Sequence, residues 1–314
     1  MSQGGGLTVL VTGGAGFIGA NLCRALLAEP RIDEVRILDD LSSGTEANLS
    51  GLDVRLVRGS ILDVDLLDDV TRGATHVVHL AAVPSVPRSI KDPMRSHDAN
   101  ATGTLRVLEA ARIHGGLHVT LASSSSVYGS NPAIPKSEDL QCRPLSPYAV
   151  SKLAAEQYAM SYAQCYRLPV LPFRFFNVFG PLQTAGHAYA AVVPAFLEAA
   201  LADRPVPVFG DGEQSRDFTF VGSVVEVLCL AVLQCATSSP VNLAFGTRTT
   251  LNDLIHLLGQ VLGRPVARES LPSRPGDVRH SQADTAQLRS LFPQVVPIPL
   301  RAALTETARW CASK

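Results

Sequence analysis

The sequence predicts an α/β protein: a doubly wound parallel sheet with a smaller α+β lobe. Three observations carry that expectation. Short apolar runs rich in β-branched residues recur over the first two-thirds of the chain, helical patterns alternate with them, and the first run passes directly into a glycine turn and an amphipathic helix. Strands buried on both faces are continuously apolar rather than alternating. Runs of that kind lie at Leu7 to Val11, Val35 to Leu38, Val54 to Val57, His76 to Leu80, Val119 to Ala122 and Val170 to Phe173. The helical patterns fall at Ile18 to Leu27, Asn100 to His114 and Pro147 to Tyr166.

After about Phe179 prolines and glycines separate shorter helices, at Val192 to Ala202 and Leu251 to Leu262, which is the texture of a loop-rich second lobe. Two later stretches, "FTFVGSVVEVLCLAVLQ" and "PVNLAF", are apolar enough to return to the main sheet. The expected division is residues 1–178 with 216–245 for the first domain, and 179–215 with 246–314 for the second lobe.

With 314 residues, 46% of them hydrophobic, the chain can bury a large core. A formal net charge of −1 and the lack of long charged blocks give no field for drawing in nucleic acid or anionic membrane. No apolar run approaches the roughly 18 residues of a membrane span, and "MSQGGG" does not lead into a signal core, so the expected location is the cytoplasm. The six cysteines are scattered, with no Cys-x-x-Cys pair, and read as small apolar fillers in a reducing compartment; no metal site is expected.

The stretch "TVLVTGGAGFIGANLCRALL" sets strand, glycine turn and helix in succession. Gly13, Gly16 and Gly19 satisfy G-x-x-G-x-x-G, while Gly14, Gly16 and Gly19 satisfy G-x-G-x-x-G. Either spacing allows a tight turn, a close backbone approach to a pyrophosphate, and a helix N-terminus aimed at it. The second strand ends at Asp39 and Asp40, where a carboxylate accepts hydrogen bonds from an adenosine ribose, and no arginine follows directly to hold a 2′-phosphate; NAD is favoured over NADP.

Tyr148 and Lys152 stand four apart in "SPYAVSK" and so share a helix face, with Cβ atoms roughly 5 to 6 Å apart. A lysine ammonium there stabilises phenolate and is expected to bring the tyrosine below its usual pKa of about 10. A buried strand runs into the serines of "TLASSSSVYG" at the sheet's carboxyl end, where open α/β sheets bind ligands.

Together with "LDDLSSG", "HLAAVPSVPRSI", "RFFNVFGP", "GDGEQSRDF" and "RPGDVRHSQAD", these motifs resemble the extended short-chain dehydrogenase/reductase family, a Rossmann-fold family, and within it the UDP-N-acetylglucosamine/UDP-glucose 4-epimerases. The resemblance runs through most of the chain. It implies Ser124, Tyr148 and Lys152 as the catalytic triad, with Tyr148 the base. Cofactor contacts are implied at Gly13, Gly16, Phe17, Ile18, Gly19, Asp39, Asp40, Ser43, Gly44, Ser60 and Ile61, and further at Leu80, Ala81, Ala82, Asn100, Tyr148, Lys152 and Phe175. Substrate contacts are implied at Arg88, Ser125, Asn177, Val193, Arg216, Arg274, Asp277 and Ser281. Arg216 and Arg274 match diphosphate-binding positions, Asp277 a carboxylate on the uridine ribose, and Asn177 a substrate-binding amide.

The same family runs dehydration from the same start, using an Asp-Glu pair just after the catalytic hydroxyl residue. Here those places are Ser125 and Ser126, poor acids and bases at neutral pH, which disfavours elimination. In the resembled epimerases the place of Ser281 faces the carbon 2 substituent, and the resemblance implies that a small residue there admits an N-acetyl group. The expected reaction is therefore NAD-dependent 4-epimerisation of UDP-N-acetylglucosamine and UDP-N-acetylgalactosamine by a homodimer, with UDP-glucose also a candidate. The alternatives are a UDP-glucuronate 4-epimerase, a 4,6-dehydratase or 4-ketoreductase, and a non-enzymatic NAD sensor. Two places depart from the family pattern: Ser60 replaces an aspartate usual in the adenine pocket, and Phe175 replaces the commoner tyrosine of "RYFN".

Overall fold

The computed structural model describes residues 6–185, 191–272 and 278–314. The chain begins with β1 (Leu7–Thr12), the glycine turn and α1 (Phe17–Leu27), followed by β2 (Ile32–Asp39), β3 (Arg55–Arg58), α2 (Val64–Thr71) and β4 (His76–His79). Two short helices, α3 (Val86–Lys91) and α4 (Pro93–His97), lead into α5 (Gly103–Ile113), β5 (His118–Ser124), α6 (Pro147–Tyr166) and β6 (Val170–Phe175). Then come β7 (Asn177–Phe179), α7 (Val192–Leu201), β8 (Val206–Phe209), β9 (Ser215–Arg216), β10 (Phe218–Phe220), α8 (Val221–Leu233) and β11 (Val241–Leu243). The chain ends with β12 (Thr249–Thr250), α9 (Leu251–Leu262), β13 (Arg268–Leu271), α10 (Ala286–Leu291) and α11 (Leu300–Ala312).

Seven strands form one sheet in the order β11-β6-β5-β4-β1-β2-β3. The ladders joining β3, β2, β1, β4 and β5 are parallel. Connections run outward in both directions from β1, which places the topological switch point at the carboxyl ends of β1 and β4. One face of the sheet packs Leu10, Leu38, Val77, Val119 and Leu121 against Leu67, Val70, Val107, Leu108 and Ala159 of α2, α5 and α6. The alternate residues Val9, Val11 and Ile37 are fully buried as well, which gives the two-sided burial that unbroken apolar strands require.

The chain divides into two compact units: residues 1–127, 144–174 and 225–241 in one, and 128–143, 175–224 and 242–314 in the other. The first holds most of the seven-stranded sheet. The second pairs β7 with β10 in parallel, β9 with β12 antiparallel, and β8 with β13 in parallel.

Local chemistry sets the element ends. Ser146 caps α6 by accepting from the Ala149 N–H at 3.2 Å, Pro147 occupies the first turn, and Arg167 ends the helix in the left-handed region at φ 57°. Thr250 and Asp253 form a capping box on α9. "PVNLAF" does return to the main sheet as β11, beside β6. "FTFVGSVVEVLCLAVLQ" does not: three residues pair with β7 and thirteen form α8, because an apolar run of that length buries itself as a helix apolar all round. The helix expected from Asn100 to His114 begins instead with a π-helical turn, Asp98–Thr102. Among the described residues no helix is long and apolar enough to cross a membrane.

Candidate active site

At the end of β1 the chain turns on Gly13, whose φ of +74° is open to glycine and strained for other residues. A Cβ built there would stand 2.6 Å from the Ala81 nitrogen, and one on Gly19 would stand 2.3 Å from the Gly13 carbonyl oxygen. The loops after β1 and β4 therefore touch backbone to backbone. Gly16 caps α1 without a side chain, which leaves the amide groups of Phe17 and Ile18 to an outside acceptor. Gly44 packs against the same turn: a Cβ there would stand 2.5 Å from the Ala15 carbonyl carbon.

Asp39 is buried at the end of β2, accepting from the Ala15 N–H at 2.9 Å and the Leu41 N–H at 2.8 Å. Burial raises its pKa, these bonds oppose the rise, and neighbouring Asp40 adds to it. Asp40 is exposed and accepts from the Ser42 N–H at 2.9 Å. Ser43, Ala82 and Arg88 line a cleft of about 430 Å³ together with Lys91, Asp92 and Arg95. Ser60 turns on itself, accepting from the Leu62 N–H at 3.1 Å, and buried Ile61 fills the space beside Gly103. Leu80 N–H bonds to the Thr12 carbonyl at 3.0 Å. Asn100 is fully buried: its Oδ1 accepts from Val83 N–H at 2.8 Å, and its Nδ2 donates to Val83 O at 3.2 Å and Ser151 Oγ at 3.0 Å. Its amide holds the β4 loop to α6.

Ser124, Tyr148 and Lys152 come together where β5 meets α6. Ser124 Oγ accepts from the Ser126 N–H at 3.2 Å and the Ser126 hydroxyl at 2.8 Å, which frees its own proton to donate. It stands near enough to the Tyr148 phenol to favour its ionised form. Lys152 Nζ donates to the Ala122 carbonyl at 2.8 Å. Burial pulls the Lys152 ammonium down to about 8, and burial pushes the Tyr148 phenol above its usual range, opposed by the Ser124 bond. This corrects the expectation of a phenol lowered by its lysine neighbour. Desolvation is the larger cause, and the side chain that favours the phenolate is that of Ser124.

In the second unit, Asn177 takes the Asp217 carbonyl at 3.3 Å through its backbone N–H and pairs with Phe218 across β7 and β10. The Ser215 carbonyl accepts from both the Ser281 N–H at 3.0 Å and Arg216 Nη1 at 2.9 Å, so these two predicted substrate residues share an anchor. Val193 and Phe175 are buried, while Ser125 starts a 3-10 turn after β5. Arg274 and Asp277 lie outside the described residues.

Sequence reasoning missed two groups. His79 is buried between Thr12 Oγ1 at 2.6 Å and Thr104 Oγ1 at 2.9 Å. Thr104 donates to the Asn100 carbonyl at 2.6 Å, so its oxygen accepts from His79 Nε2–H and Thr12 donates to Nδ1. Glu156 accepts from Arg174 at 2.6 and 3.0 Å and from Ser123 Oγ at 2.8 Å, with the glutamate 0% and the arginine 5% exposed. A glutamate eight residues after Tyr148, and an arginine inside the apolar strand "VLPFRFF", were the readable signals.

The profile of the NAD dependent epimerase/dehydratase family matches residues 9–244. The chain belongs to that family. It is 37% identical to a UDP-glucose 4-epimerase of Mycolicibacterium smegmatis over 314 residues, covering 98% of this chain and 99% of the relative. Among solved structures it is similar to the UDP-N-acetylglucosamine 4-epimerase of Methanobrevibacter ruminantium in complex with UDP-N-acetylmuramic acid (TM-score 0.92, 35% identity, 98% and 99% of the two chains). It is also similar to the UDP-glucuronic acid 4-epimerase of Bacillus cereus in complex with UDP-glucuronic acid and NAD (TM-score 0.89, 30% identity, 98% and 99%). The family's NAD fits the residues present in this epimerase/dehydratase chain: the glycine turn is a cradle that a Cβ would fill, the uncapped start of α1 suits a pyrophosphate, and Asp39 suits a ribose diol.

Proposed function

We propose that the chain is a nucleotide-sugar 4-epimerase that interconverts UDP-N-acetylglucosamine and UDP-N-acetylgalactosamine, with UDP-glucose and UDP-galactose as a second pair. The observation that carries this reading is the grouping of Ser124, Tyr148 and Lys152 with Ser125 and Ser126, rather than an acid pair, in the turn that follows.

NAD, held by the glycine turn, α1 and Asp39, supplies oxidation at sugar carbon 4 and its reversal. Tyr148 accepts the carbon 4 hydroxyl proton and later returns it. Ser124, its oxygen already accepting twice from Ser126, donates to the phenolate or to the sugar oxygen. Lys152 places a cation beside the cofactor ribose below its pKa of about 8. Inversion at carbon 4 would require that the site let the ketone present either face to the bound cofactor. Ser126 is a poor acid or base, so no group in that turn withdraws a carbon 5 proton and the ketone survives. Arg216 and Arg274 are assigned to the diphosphate, Asp277 to the uridine ribose and Ser281 to the space beside the N-acetyl group. Arg88 in its basic cleft favours one competitor, UDP-glucuronate.

The test is NMR of purified protein with each UDP-sugar and no added cofactor. The expected outcome is formation of the galacto isomer of the N-acetylated sugar, loss of that turnover in Tyr148→Phe with NAD retained, and a selective fall for the N-acetylated pair in Ser281→Tyr. A keto-deoxy product, or conversion of UDP-glucuronate alone, overturns the assignment.

Exposed apolar side chains also support a homodimer: Ile90 and Met94 on α3 and α4 are 66% exposed, and Val150 and Tyr158 on α6 are 53% and 42% exposed. All four lie on helices that pack together.

A further inference from the structure

Three residues on one face of α6, spaced four apart, each grip a successive residue at the end of β5. Lys152 Nζ donates to the Ala122 carbonyl, Glu156 accepts from the Ser123 hydroxyl, and the Tyr148 phenol stands near the Ser124 hydroxyl, which favours its ionisation. Two of these contacts belong to the chemistry already assigned. The third does not: Glu156 is fully buried and is held from behind by the fork of Arg174 on β6, at 2.6 and 3.0 Å. An ion pair without solvent gains little net stability over apolar packing, so its presence calls for another account. A bidentate arginine fixes a carboxylate in both position and plane, whereas an apolar contact allows sliding.

We propose that Glu156 and Arg174 are positioning residues for the reaction, a clasp that sets the height and rotation of α6 against β5 and so fixes the Ser124–Tyr148 and Lys152–Ala122 contacts. The Lys152–Ala122 contact between the same helix and strand runs through one of the reacting groups itself. Without an independent clasp, any shift of Tyr148 toward substrate would also move its partners, and a misplacement of about 1 Å costs on the order of a hundredfold in rate. The paired charges cancel at the site. Removing one of them alone leaves a bare charge one helix turn from Lys152 and two from Tyr148, and the sign of that charge decides which way the phenol titrates.

The inference rests on the epimerase reading for its rate measurement and on titration alone for its second readout, so the two can fail separately. Glu156→Asp keeps the charge and shortens the reach by one methylene. It is expected to lower kcat at least about tenfold, with KM for the UDP-sugar within about twofold and NAD retained. Glu156→Gln keeps the reach and leaves Arg174 unopposed. Ultraviolet difference titration, with Tyr148→Phe as the blank, is expected to show the Tyr148 phenol ionising at lower pH by about half a unit or more. Arg174→Gln leaves the carboxylate unopposed and is expected to move it the other way. Should Glu156→Asp not fold, Arg174→Lys, which keeps both charges and loses the fork, takes its place with the same kinetic expectation. Unchanged kcat in the charge-preserving variant, or shifts of the same sign in the two charge-removing ones, overturns the proposal.

Discussion

His79 donates through Nε2 and accepts through Nδ1, so both threonine partners are matched to the neutral ring. Burial, and secondarily the Lys152 charge, pull its pKa down to about 3 from an ordinary 6.5. In the unfolded chain the same imidazole takes up a proton below about 6.5, while the folded one stays neutral until about 3, so its contribution to stability is present above 6.5 and is lost as the pH falls. His76, brought to about 4 by burial, acts in the same direction. By pH 5 the His79 loss amounts to about 2 kcal/mol. Thermal melts from pH 7 to 5 are expected to show a shallower fall in Tm for His79→Gln than for the parent. Equal slopes would refute the assignment. The pairing of Tyr148 with Lys152 was legible at this scale because the two need only the helix period to share a face. The tyrosine's titration was not, since it depends on how much water the fold removes and on which hydroxyl points at the phenol.

At the scale of elements, the glycine turn was readable because strand, turn and helix follow one another without a gap, and each glycine has a nearby reason. Gly13 and Gly51 separate two of those reasons. Both have φ near +75°, but a Cβ on Gly51 meets nothing within 4 Å, whereas one on Gly13 meets the Ala81 backbone. Gly51→Ala is expected to cost about 1 kcal/mol of strain and keep NAD. Gly13→Ala is expected to pay the same strain and to force the β1 and β4 loops apart, weakening NAD binding at least about tenfold by calorimetry. Similar NAD affinity in the two variants would argue against the cradle. Helix α6 was legible to the residue because Ser146-Pro147 announces its start. The π-helical turn at Asp98–Thr102 was not, because it accompanies a side chain, Asn100, that reaches Val83 and Ser151 across the fold. The helix α8 was hidden by its own uniformity, since a run apolar on every side carries no period to count.

For the molecule as a whole, composition and charge bounded the class, and alternation of strand and helix revealed the winding of the sheet. The internal strand pairings of the second unit were out of reach, because strands of two to four residues such as β9, β10 and β12 are defined by their partners rather than by local pattern. Assembly belongs to this scale. On the homodimer reading, Ile90→Glu with Met94→Glu is expected to convert the dimer into a monomer by light scattering at micromolar concentration; a parent that is already monomeric removes the claim. Helix α6 faces both ways here, with Lys152, Ala155 and Glu156 on its buried flank and Val150 and Tyr158 on its open one. A rod gripped along both flanks carries torque between them. On the homodimer reading, substitutions that loosen subunit docking are then expected to slow turnover as well, because quaternary fit and reaction rate are set on the same twenty residues.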